Sequence, residues 1–405
     1  MIRTIKKELD IQSKEQAYLL LKNMNYRHRL YNKGIEIIRR EKEKDPKFYF
    51  NERILDKMLY NEYEACLDDY DDYCRGIRTD VCISLDKMLD SVYTPGRHYK
   101  TVFKFKQFNP NHRSFGFNAK SMSYKNGKKV SRVKELGDNY ITIRFKQGDR
   151  KTFYIKESSW NNKSHPYEFD MYDIRTIHFI YKNGKFFINL VTRVKLMDTK
   201  KNKDTITNRK RRAGIDLGER NPVTLYDGKD YRVSKFPDKK INKLQKRIDN
   251  LNRHLDKKEY RSNNYNKLQL KINRLYQKQV NIRSDWRNKV AYAIVSNFDE
   301  IVVDEFSIPI AHSGAFKKDM NRVVLGRGMY LFMVRLREQA EKYNCEVIKA
   351  GTNTTRTCSI CGYLNEPLPT SKKLLKCAKC GSKIQRDENA ALNCYNQPNK
   401  YVIHI

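Results

Sequence analysis

The sequence predicts a multidomain α+β protein: an N-terminal helical bundle, a β-barrel-like domain, and an α/β domain that carries a helical hairpin and a zinc-ribbon insertion. Three observations lead to this fold class. Apolar residues recur at helical spacing over residues 11–95, and they alternate with a period of two over residues 96–199. From residue 200 onward, short buried strands are interrupted by a charged helical repeat and by two Cys-x-x-Cys pairs.

The N-terminal region begins with a weakly alternating stretch, residues 1–10, which is predicted to form one strand. A helix then opens at Ser13, because Gln16 stands three residues further on as the partner of a capping box. A second helical region is predicted from residue 52 to residue 91. The acidic run at residues 68–72 is interpreted as a solvated helix face, since adjacent helical residues point in different directions.

The central region is predicted to be rich in strands. Its clearest feature is a hairpin over residues 177–190, where two alternating strands flank Lys-Asn-Gly-Lys with a two-residue turn. His178 lies in mid-strand and is interpreted as structural. Several short strands with turn residues between them favour a small barrel or curled sheet. Further strands are predicted at residues 102–106, 140–145 and 152–155.

The charge balance indicates a polyanionic partner. The chain has 83 lysines and arginines against 47 aspartates and glutamates, a net charge of +36, and phosphate backbones are the commonest polyanion. The 27 tyrosines can also stack on unpaired bases, although most aromatic rings belong to the core. No apolar run approaches the ~20 residues of a transmembrane helix, and residues 1–9 lack the apolar centre of a signal peptide. We therefore expect a cytoplasmic protein without a membrane partner.

Two Cys-x-x-Cys pairs predict a zinc ribbon. Cys358 and Cys361 form the first pair, Cys377 and Cys380 form the second, and a glycine follows each. Zinc requires four tetrahedral ligands, and each pair presents two thiolates to one ion. The glycine lets the backbone turn under the metal at positive φ. Disulfides are the alternative, but the five other cysteines are scattered and nothing indicates an oxidising compartment.

Acidic residues at three places along the chain form a candidate site for two Mg²⁺ ions. Asp216 lies in the apolar run G-I-D-L-G at residues 214–218, and Asp304 and Glu305 end the apolar strand I-V-V-D-E-F. Asp387 opens the predicted helix at residues 386–393 (R-D-E-N-A-A-L-N). Carboxylates at two strand ends and one helix start are what a two-metal phosphodiester-cleaving site needs. A buried, unpaired Asp216 would otherwise be costly.

The segments between these motifs carry further expectations. Residues 239–283 show charged helical periodicity that breaks at residues 262–264, which predicts an antiparallel helical hairpin. Trp286, Val290, Ile294 and Val295 are predicted to continue as a packing helix that leads to the strand at residues 300–305. The basic run that ends in Lys210, Arg211 and Arg212 either lies along a phosphate backbone or is a solvated hinge. The polar stretch at residues 307–326 is predicted to be a lid over the site.

The order of these motifs resembles the TnpB-type transposon-encoded nucleases and the miniature type V CRISPR effectors. The resemblance spans residues 213–393, and residues 1–212 carry no motif that can be matched. It depends on four motifs, namely G-I-D-L-G-x-x-N, the apolar strand that ends in two acidic residues, T-T-x-x-C-x-x-C-G with C-x-x-C-G, and D-x-N-A-A-x-N. The resemblance implies an RNase H-like (RuvC) nuclease domain, with Asp216 on its first strand.

The resemblance also implies roles for single residues. Asp216, Asp387 and one member of the acidic pair would be catalytic Mg²⁺ ligands. The family has Glu-Asp-Leu where this chain has Asp-Glu-Phe, so a gap-free match places Asp304 on the catalytic glutamate. Only one member of the pair can face the metals, because successive strand residues point to opposite sides, and a bulge would select Glu305 instead. Arg386 and Asn389 would contact phosphate or orient Asp387.

Placed by this resemblance, the domains are expected as follows: residues 1–10 as the first strand of a wedge β-domain, 11–95 as a helical recognition domain, 96–199 as the wedge barrel, 200–350 as the nuclease domain, 351–382 as the zinc ribbon, and 383–405 as the last nuclease segment.

The expected partners are guide RNA and target double-stranded DNA, with one or two copies of the chain on each guide. The expected setting is a prokaryotic cytoplasm, and the expected cofactors are two Mg²⁺ ions and one structural Zn²⁺. An RNA-guided repressor with a decayed nuclease is the alternative, since the acidic pair is inverted. A bare zinc-ribbon transcription factor would leave residues 214–218 unexplained.

Overall fold

A computed structural model describes the chain in two compact units, residues 1–198 and residues 199–405. The lid segment 307–326, Glu305, Lys210 and part of the acidic run lie outside the described residues. The structure describes residues 2–69, 73–74, 76–93, 104–125, 128–146, 149–156, 167–168, 172–196, 211–218, 221–304, 327–369, 372–396 and 398–402. Within these residues, no helix is both long enough and apolar enough to cross a bilayer.

The first two helices of the first unit begin at side-chain caps, Ser13 and Asn51. The hydroxyl of Ser13 accepts the backbone N–H of Gln16 at 3.1 Å, while the Gln16 side chain accepts from the N–H of Gln12 at 3.0 Å. The predicted helix start is therefore confirmed, although the return bond reaches Gln12 rather than Ser13. The second helical region is interrupted, because its first helix ends at Glu62. The helices are α1 (Lys14–Lys44), α2 (Glu52–Glu62) and α3 (Ile77–Tyr93).

The strands of the first unit form a seven-stranded sheet and two short ribbons. They are β1 (Ile2–Asp10), β2 (His112–Asn118), β3 (Lys120–Lys125), β4 (Lys128–Ser131), β5 (Val133–Leu136), β6 (Tyr140–Lys146), β7 (Asp149–Ile155), β8 (Tyr167–Glu168), β9 (Ile174–Lys182), β10 (Lys185–Arg193) and β11 (Lys195–Leu196). The sheet order is β2-β9-β10-β1-β7-β6-β5, and the ribbons are β3-β4 and β8-β11. The predicted N-terminal strand is confirmed as β1, which pairs with β10 and β7.

The hairpin predicted in this sheet is also confirmed. Asn183 and Gly184 have φ values of 54° and 87°, as a two-residue turn requires. The strand predicted at residues 102–106 is wrong over its described part, since residues 104–109 are irregular. A backbone bond of 2.6 Å from Arg132 N–H to Ala119 C=O joins the chain after β2 to the chain before β5. The outer strands thus approach each other at one end, as in a curled, barrel-like sheet.

One hydrophobic core serves the helices and the strands of the first unit. Leu20 and Ile35 of α1 and Leu85 of α3 are buried in the same cluster as Phe115 and Phe179 of the sheet. His178 is half-buried, and a side chain at Gly116 would collide with its ring, so it packs as a structural residue. The division into a helical domain and a β-domain remains a prediction.

The second unit is built on a six-stranded sheet. Its members are β12 (Arg212–Asp216), β13 (Val223–Tyr226), β14 (Tyr231–Ser234), β15 (Glu300–Val303), β16 (Glu346–Ala350) and β19 (Pro398–Val402). Their order in the sheet is β14-β13-β12-β15-β16-β19. The central strands β12, β15 and β16 are parallel, and the outer pairings are antiparallel. A short ribbon of β17 (Leu374–Lys376) and β18 (Lys383–Gln385) flanks the loop that carries the second cysteine pair.

The helices of the second unit are α4 (Asp238–Leu255), α5 (Asn263–Val295), α6 (Met329–Lys342) and α7 (Arg386–Asn396). Antiparallel packing of α4 and α5 buries Ile248, Leu255 and Ile272, so the predicted helical hairpin is confirmed. Ser262 caps α5, its hydroxyl accepting the N–H of Tyr265 at 3.2 Å. The predicted continuation as a packing helix is confirmed: α5 runs unbroken to Val295, which places Trp286 in the core of the sheet.

Candidate active site

Two of the predicted acidic residues lie side by side at one edge of the parallel sheet. Asp216 is the last residue of β12, and Asp304 directly follows β15. Ile215 is paired with Val303 in the parallel register, and the N–H of Asp304 donates to the carbonyl of Ile215 at 3.3 Å. The carboxyl ends of these strands therefore bring both carboxylates to one place.

Close packing of α7 on β12 brings the third carboxylate to the same edge. A β-carbon on Gly214 would collide with the backbone of Ala391 and Tyr395, so only glycine permits this approach. On Gly218, a β-carbon would lie 3.5 Å from Oδ2 of Asp216 and 3.7 Å from Oδ2 of Asp387. Two residues that are 171 positions apart in sequence thus face the same small space.

Burial and repulsion by neighbouring acids act together on Asp216. Burial raises the pKa of Asp216 well above its usual range, the charges of Asp387 and Asp304 raise it further, and Arg386 opposes them. Burial also raises the pKa of Asp304, against a hydrogen bond from Thr354 and the charge of Lys349. A divalent cation would relieve this repulsion, and carboxylate oxygens are the ligands that Mg²⁺ prefers. The donor set therefore fits the implied metal.

Neighbouring polar side chains orient the acidic residues, and sequence reasoning gave them no role. Asn221 donates to Oδ2 of Asp387 at 2.8 Å, and the hydroxyl of Thr354 donates to Oδ2 of Asp304. Gln385 caps α7 by accepting the N–H groups of Asp387 and Glu388 at 2.7 and 3.1 Å. Asn221 and Thr354 both stand inside the motifs G-I-D-L-G-x-x-N and T-T-x-x-C, so the sequence did contain a signal for them.

The four predicted zinc ligands converge. The Sγ atoms of Cys358, Cys361, Cys377 and Cys380 all lie within 4.8 Å of one another. The Cys358–Cys380 and Cys361–Cys377 sulfur distances are 3.8 and 3.5 Å, close to the ~3.8 Å edge of a tetrahedron with ~2.3 Å Zn–S bonds. The geometry thus fits one Zn²⁺ ion. Across the described chain this is the one such group of three or more cysteine, histidine or acidic ligands; the three aspartates are spaced more widely.

Local features of the ribbon favour its turns and a thiolate at Cys380. The glycines that follow the two pairs, Gly362 and Gly381, both have a φ of +72°, which confirms their predicted turns. The hydroxyl of Ser382 lies 3.0 Å from the Cys380 sulfur, and this hydrogen bond lowers the pKa of Cys380 to about 6. A thiol that ionises below neutral pH is ready to bind a metal.

The structure places Arg211 and Arg212, two of the predicted nucleic-acid residues, at the start of the parallel sheet. Arg212 is not in a linker: it begins β12, forms an ion pair with Glu300, and donates to the carbonyl of Tyr395 at 3.3 Å. The backbone N–H of Arg211 donates to Asp299 at 3.1 Å, and its guanidinium lies 3.9 Å from the same carboxylate. Both arginines hold β12 against the start of β15. Both side chains are also 36% exposed, and their contact with nucleic acid stays a prediction.

The two residues expected beside Asp387 differ from each other. Asn389 is fully buried, and its side chain is hydrogen-bonded to backbone groups at the start of the zinc ribbon, so it does not face a phosphate. Arg386 is half-buried, and its positive charge acts on Asp216. The predicted phosphate contact therefore remains open for Arg386 alone.

Two regions of the chain match known protein families. Residues 193–309 match the family OrfB_IS605, described as "Probable transposase", and residues 330–394 match the "Cas12f1-like, TNB domain". A protein of Acanthamoeba polyphaga mimivirus, named "Putative transposase R186", is 31% identical over 220 residues, which are 52% of this chain and 43% of that relative. A mimivirus TnpB-like protein is 28% identical over 199 residues, 47% of this chain and 38% of that relative.

Further relatives come from bacteria and from solved complexes. The "Putative RNA-guided DNA endonuclease InsQ" of Escherichia coli is 27% identical over 193 residues, 44% of this chain and 47% of that protein. The chain thus spans less than half the length of these curated relatives. A Cas12f1–sgRNA–target DNA complex (98% of this chain, 99% of that one) and a CRISPR-Cas12f ternary complex (97% and 83%) align with TM-scores of 0.35 and 0.36 at 16% identity. Scores this low do not establish a shared fold.

Proposed function

Residues 193–394 carry the transposase and TNB regions of TnpB-type proteins, and from that premise we propose that this chain is an RNA-guided DNA endonuclease. The resemblance noted in the motifs is confirmed by these two matches. A relative of E. coli carries the name of an RNA-guided DNA endonuclease. The activity, substrates and partners of the whole chain are our proposal.

One observation carries this proposal more than any other. Asp216 and Asp387 face the same space beside Gly218, and Asp304 lies next to Asp216 across a parallel strand pair. A sheet edge with three converging carboxylates has no stabilising role of its own, since each added charge raises the free energy of the buried Asp216. Such an arrangement supports a metal-dependent site rather than a structural one.

Each residue of the site has a proposed part in the reaction. Asp216, Asp304 and Asp387 bind the metals through carboxylate oxygens, and Asn221 keeps Asp387 turned toward Asp216. Two Mg²⁺ ions held in this way would stabilise the attacking and leaving oxygens of an in-line displacement at a DNA phosphate. Arg386 brings a positive charge to the same edge, where the phosphate of the substrate would lie. Glu305 remains the alternative to Asp304 as ligand.

The charge of the chain supports the proposed partners. A net charge of +36 fits a protein that holds a guide RNA and a target double-stranded DNA. Base pairing with the guide would supply sequence specificity, while the protein would read duplex shape and a short adjacent motif. We propose that either one copy of the chain or a homodimer holds each guide.

A nuclease-inactive RNA-guided DNA-binding protein is the second candidate. It is favoured by the aspartate at position 304, where the resembled family has a glutamate, and by the bond that engages one oxygen of Asp304 with Thr354. An aspartate reaches one methylene less far toward a metal. The two functions differ in a single observable, which is cleavage of a bound target.

The test uses the purified protein with its co-purifying RNA. Sequencing that RNA identifies the guide, and a plasmid that carries the matching target is incubated with Mg²⁺ or with EDTA. We expect the parent protein to cleave the plasmid with Mg²⁺ and not with EDTA. The variants Asp216→Ala and Asp387→Ala should not cleave it under either condition. Asp249→Ala, which changes an exposed carboxylate on α4, serves as the matched control and should cut normally. Full cutting by either site variant would refute the assignment, and binding without cutting would favour the repressor.

A further inference from the structure

The zinc ribbon and the acidic site are joined by hydrogen bonds that neither role requires. Thr354 stands between β16 and the first cysteine pair, and it is fully buried. Its hydroxyl donates to Oδ2 of Asp304, which is 50 residues away in sequence. The residue that directly follows β15 is thus held by the segment that leads into the ribbon.

Two asparagines of α7 fix that leading segment. Asn389 and Asn393 lie one helical turn apart on the same face, and both are buried. The Asn393 amide donates to the carbonyls of Thr354 and Thr357 at 2.7 and 2.6 Å, and the Asn389 amide donates to the same carbonyls at 3.3 and 2.8 Å. These four bonds attach the start of the ribbon to the helix that carries Asp387.

The network reaches the zinc ligands themselves. Thr357 immediately precedes Cys358, and the N–H of Ser359 donates to the side-chain oxygen of Asn389 at 2.9 Å. A bound zinc ion would fix Cys358 relative to the second cysteine pair, which is followed by β18 and Gln385, the cap of α7. Both ends of the ribbon therefore meet at α7. A ribbon without zinc would release the backbone that places the Thr354 hydroxyl.

We propose that Thr354 is a positioning residue for the nuclease metal site, and that the zinc ribbon fixes the carboxylate of Asp304 through Thr354, Asn389 and Asn393. The inference rests on the proposed function, because it treats Asp304 as a metal ligand. The hydroxyl engages one carboxylate oxygen and restricts rotation of the side chain, and the other oxygen remains available as a ligand. Hydrogen-bonding partners of this kind orient metal ligands in other proteins.

The first test separates the hydroxyl from the shape of the side chain. Mn²⁺ is titrated calorimetrically into the full-length protein freed of nucleic acid, and the binding that disappears in Asp216→Ala is assigned to the site. In Thr354→Val we expect that affinity to fall about 10- to 100-fold, with zinc content unchanged. Thr354→Ser should bind within a few-fold of the parent. Parental affinity in Thr354→Val, or equal weakening in both variants, would overturn the role of the hydroxyl.

The second test concerns the link to zinc. Asn393→Ala should lower the Mn²⁺ affinity, whereas Asn396→Ala, an exposed position on the same helix, should not. Cys380→Ser should lose zinc and weaken Mn²⁺ binding together. If that variant loses zinc but keeps parental Mn²⁺ affinity, the coupling is refuted. Absence of any Asp216-dependent Mn²⁺ binding in the parent would instead overturn the proposed nuclease site, so the two failures are distinguishable.

Discussion

The two candidate metal sites of this chain are assembled in opposite ways. The cysteine site comes from two local turns that are 15 residues apart, each closed by a glycine at φ +72°. The acidic site comes from two strand ends and one helix start spread over residues 216–387, and no turn within any of these segments points to the others. Local geometry therefore specifies the first site, and sheet register together with helix packing specifies the second.

The two sites are also expected to differ in stability when no metal is bound. Thiols convert readily to thiolates near Ser382, whereas Asp216 becomes harder to ionise as Asp304 and Asp387 approach. The ribbon is thus expected to gain stability from its metal and to lose its structure without it. The acidic site is expected to keep its structure without metal and to gain only activity from it.

The largest effect is expected from breaking the cysteine site. Cys377→Ser removes a buried ligand, and structural Zn²⁺ in small domains contributes on the order of 10 kcal/mol of binding free energy. We expect zinc to be lost from purified protein and the ribbon to unfold, as measured by metal content and by proteolysis between residues 354 and 382. Cys66→Ser, at an exposed cysteine, is the control and should change neither.

The acidic site should respond to a ligand change in the reverse manner. Asp387→Asn keeps the size of the side chain and removes its charge. Cleavage should fall by more than about 100-fold, since even outer partners of metal ligands cost 10- to 100-fold. Zinc content should remain that of the parent. Loss of zinc in this variant would show that the two sites cannot be separated as described here.

Substituting one glycine near each site tests how each site depends on its backbone. In Gly214→Ala the new methyl group collides with α7, and overpacking of this kind costs about 1–3 kcal/mol. The displacement moves Asp387, so both stability and cleavage should fall. In Gly362→Ala the new methyl group meets no atom within 4 Å. The substitution is destabilising only because alanine disfavours a positive φ, which costs about 1–2 kcal/mol of folding free energy. It should lower stability while cleavage stays near the parental rate; equal cleavage defects would contradict the packing argument.

The smallest effect concerns pH in protein that retains zinc but has no added Mg²⁺. Because burial and neighbouring acids raise the folded-state pKa of Asp216, its contribution to stability is full at low pH and is lost as pH rises through that pKa. Because asparagine does not ionise, the Asp216→Asn variant keeps its stability as the pH rises. The melting temperature of the variant should therefore exceed that of the parent by more at pH 8 than at pH 5. A difference that does not change with pH would mean that Asp216 is not destabilised by its neighbours.

Much of the second unit could be predicted from the sequence, because its features are local. The apolar runs of β12 and β15, the hairpin of α4 and α5, and the start of α7 all follow from period and caps. The error at Arg212 has a tertiary cause: this residue begins β12, where its guanidinium pairs with Glu300. The irregular stretch at residues 104–109 shows that alternation alone does not make a strand.

The sequence by itself determined the zinc ligands, since the Cys-x-x-Cys spacing and the glycines constrain backbone atoms only a few residues apart. It also supplied all three aspartates as candidates. Only the tertiary structure decided that Asp216 and Asp304 are neighbours in a parallel register, that Gly214 admits α7, and that Asn389 binds the ribbon instead of a phosphate. Contacts between distant segments depend on how whole elements pack against each other, and no spacing along the chain records that.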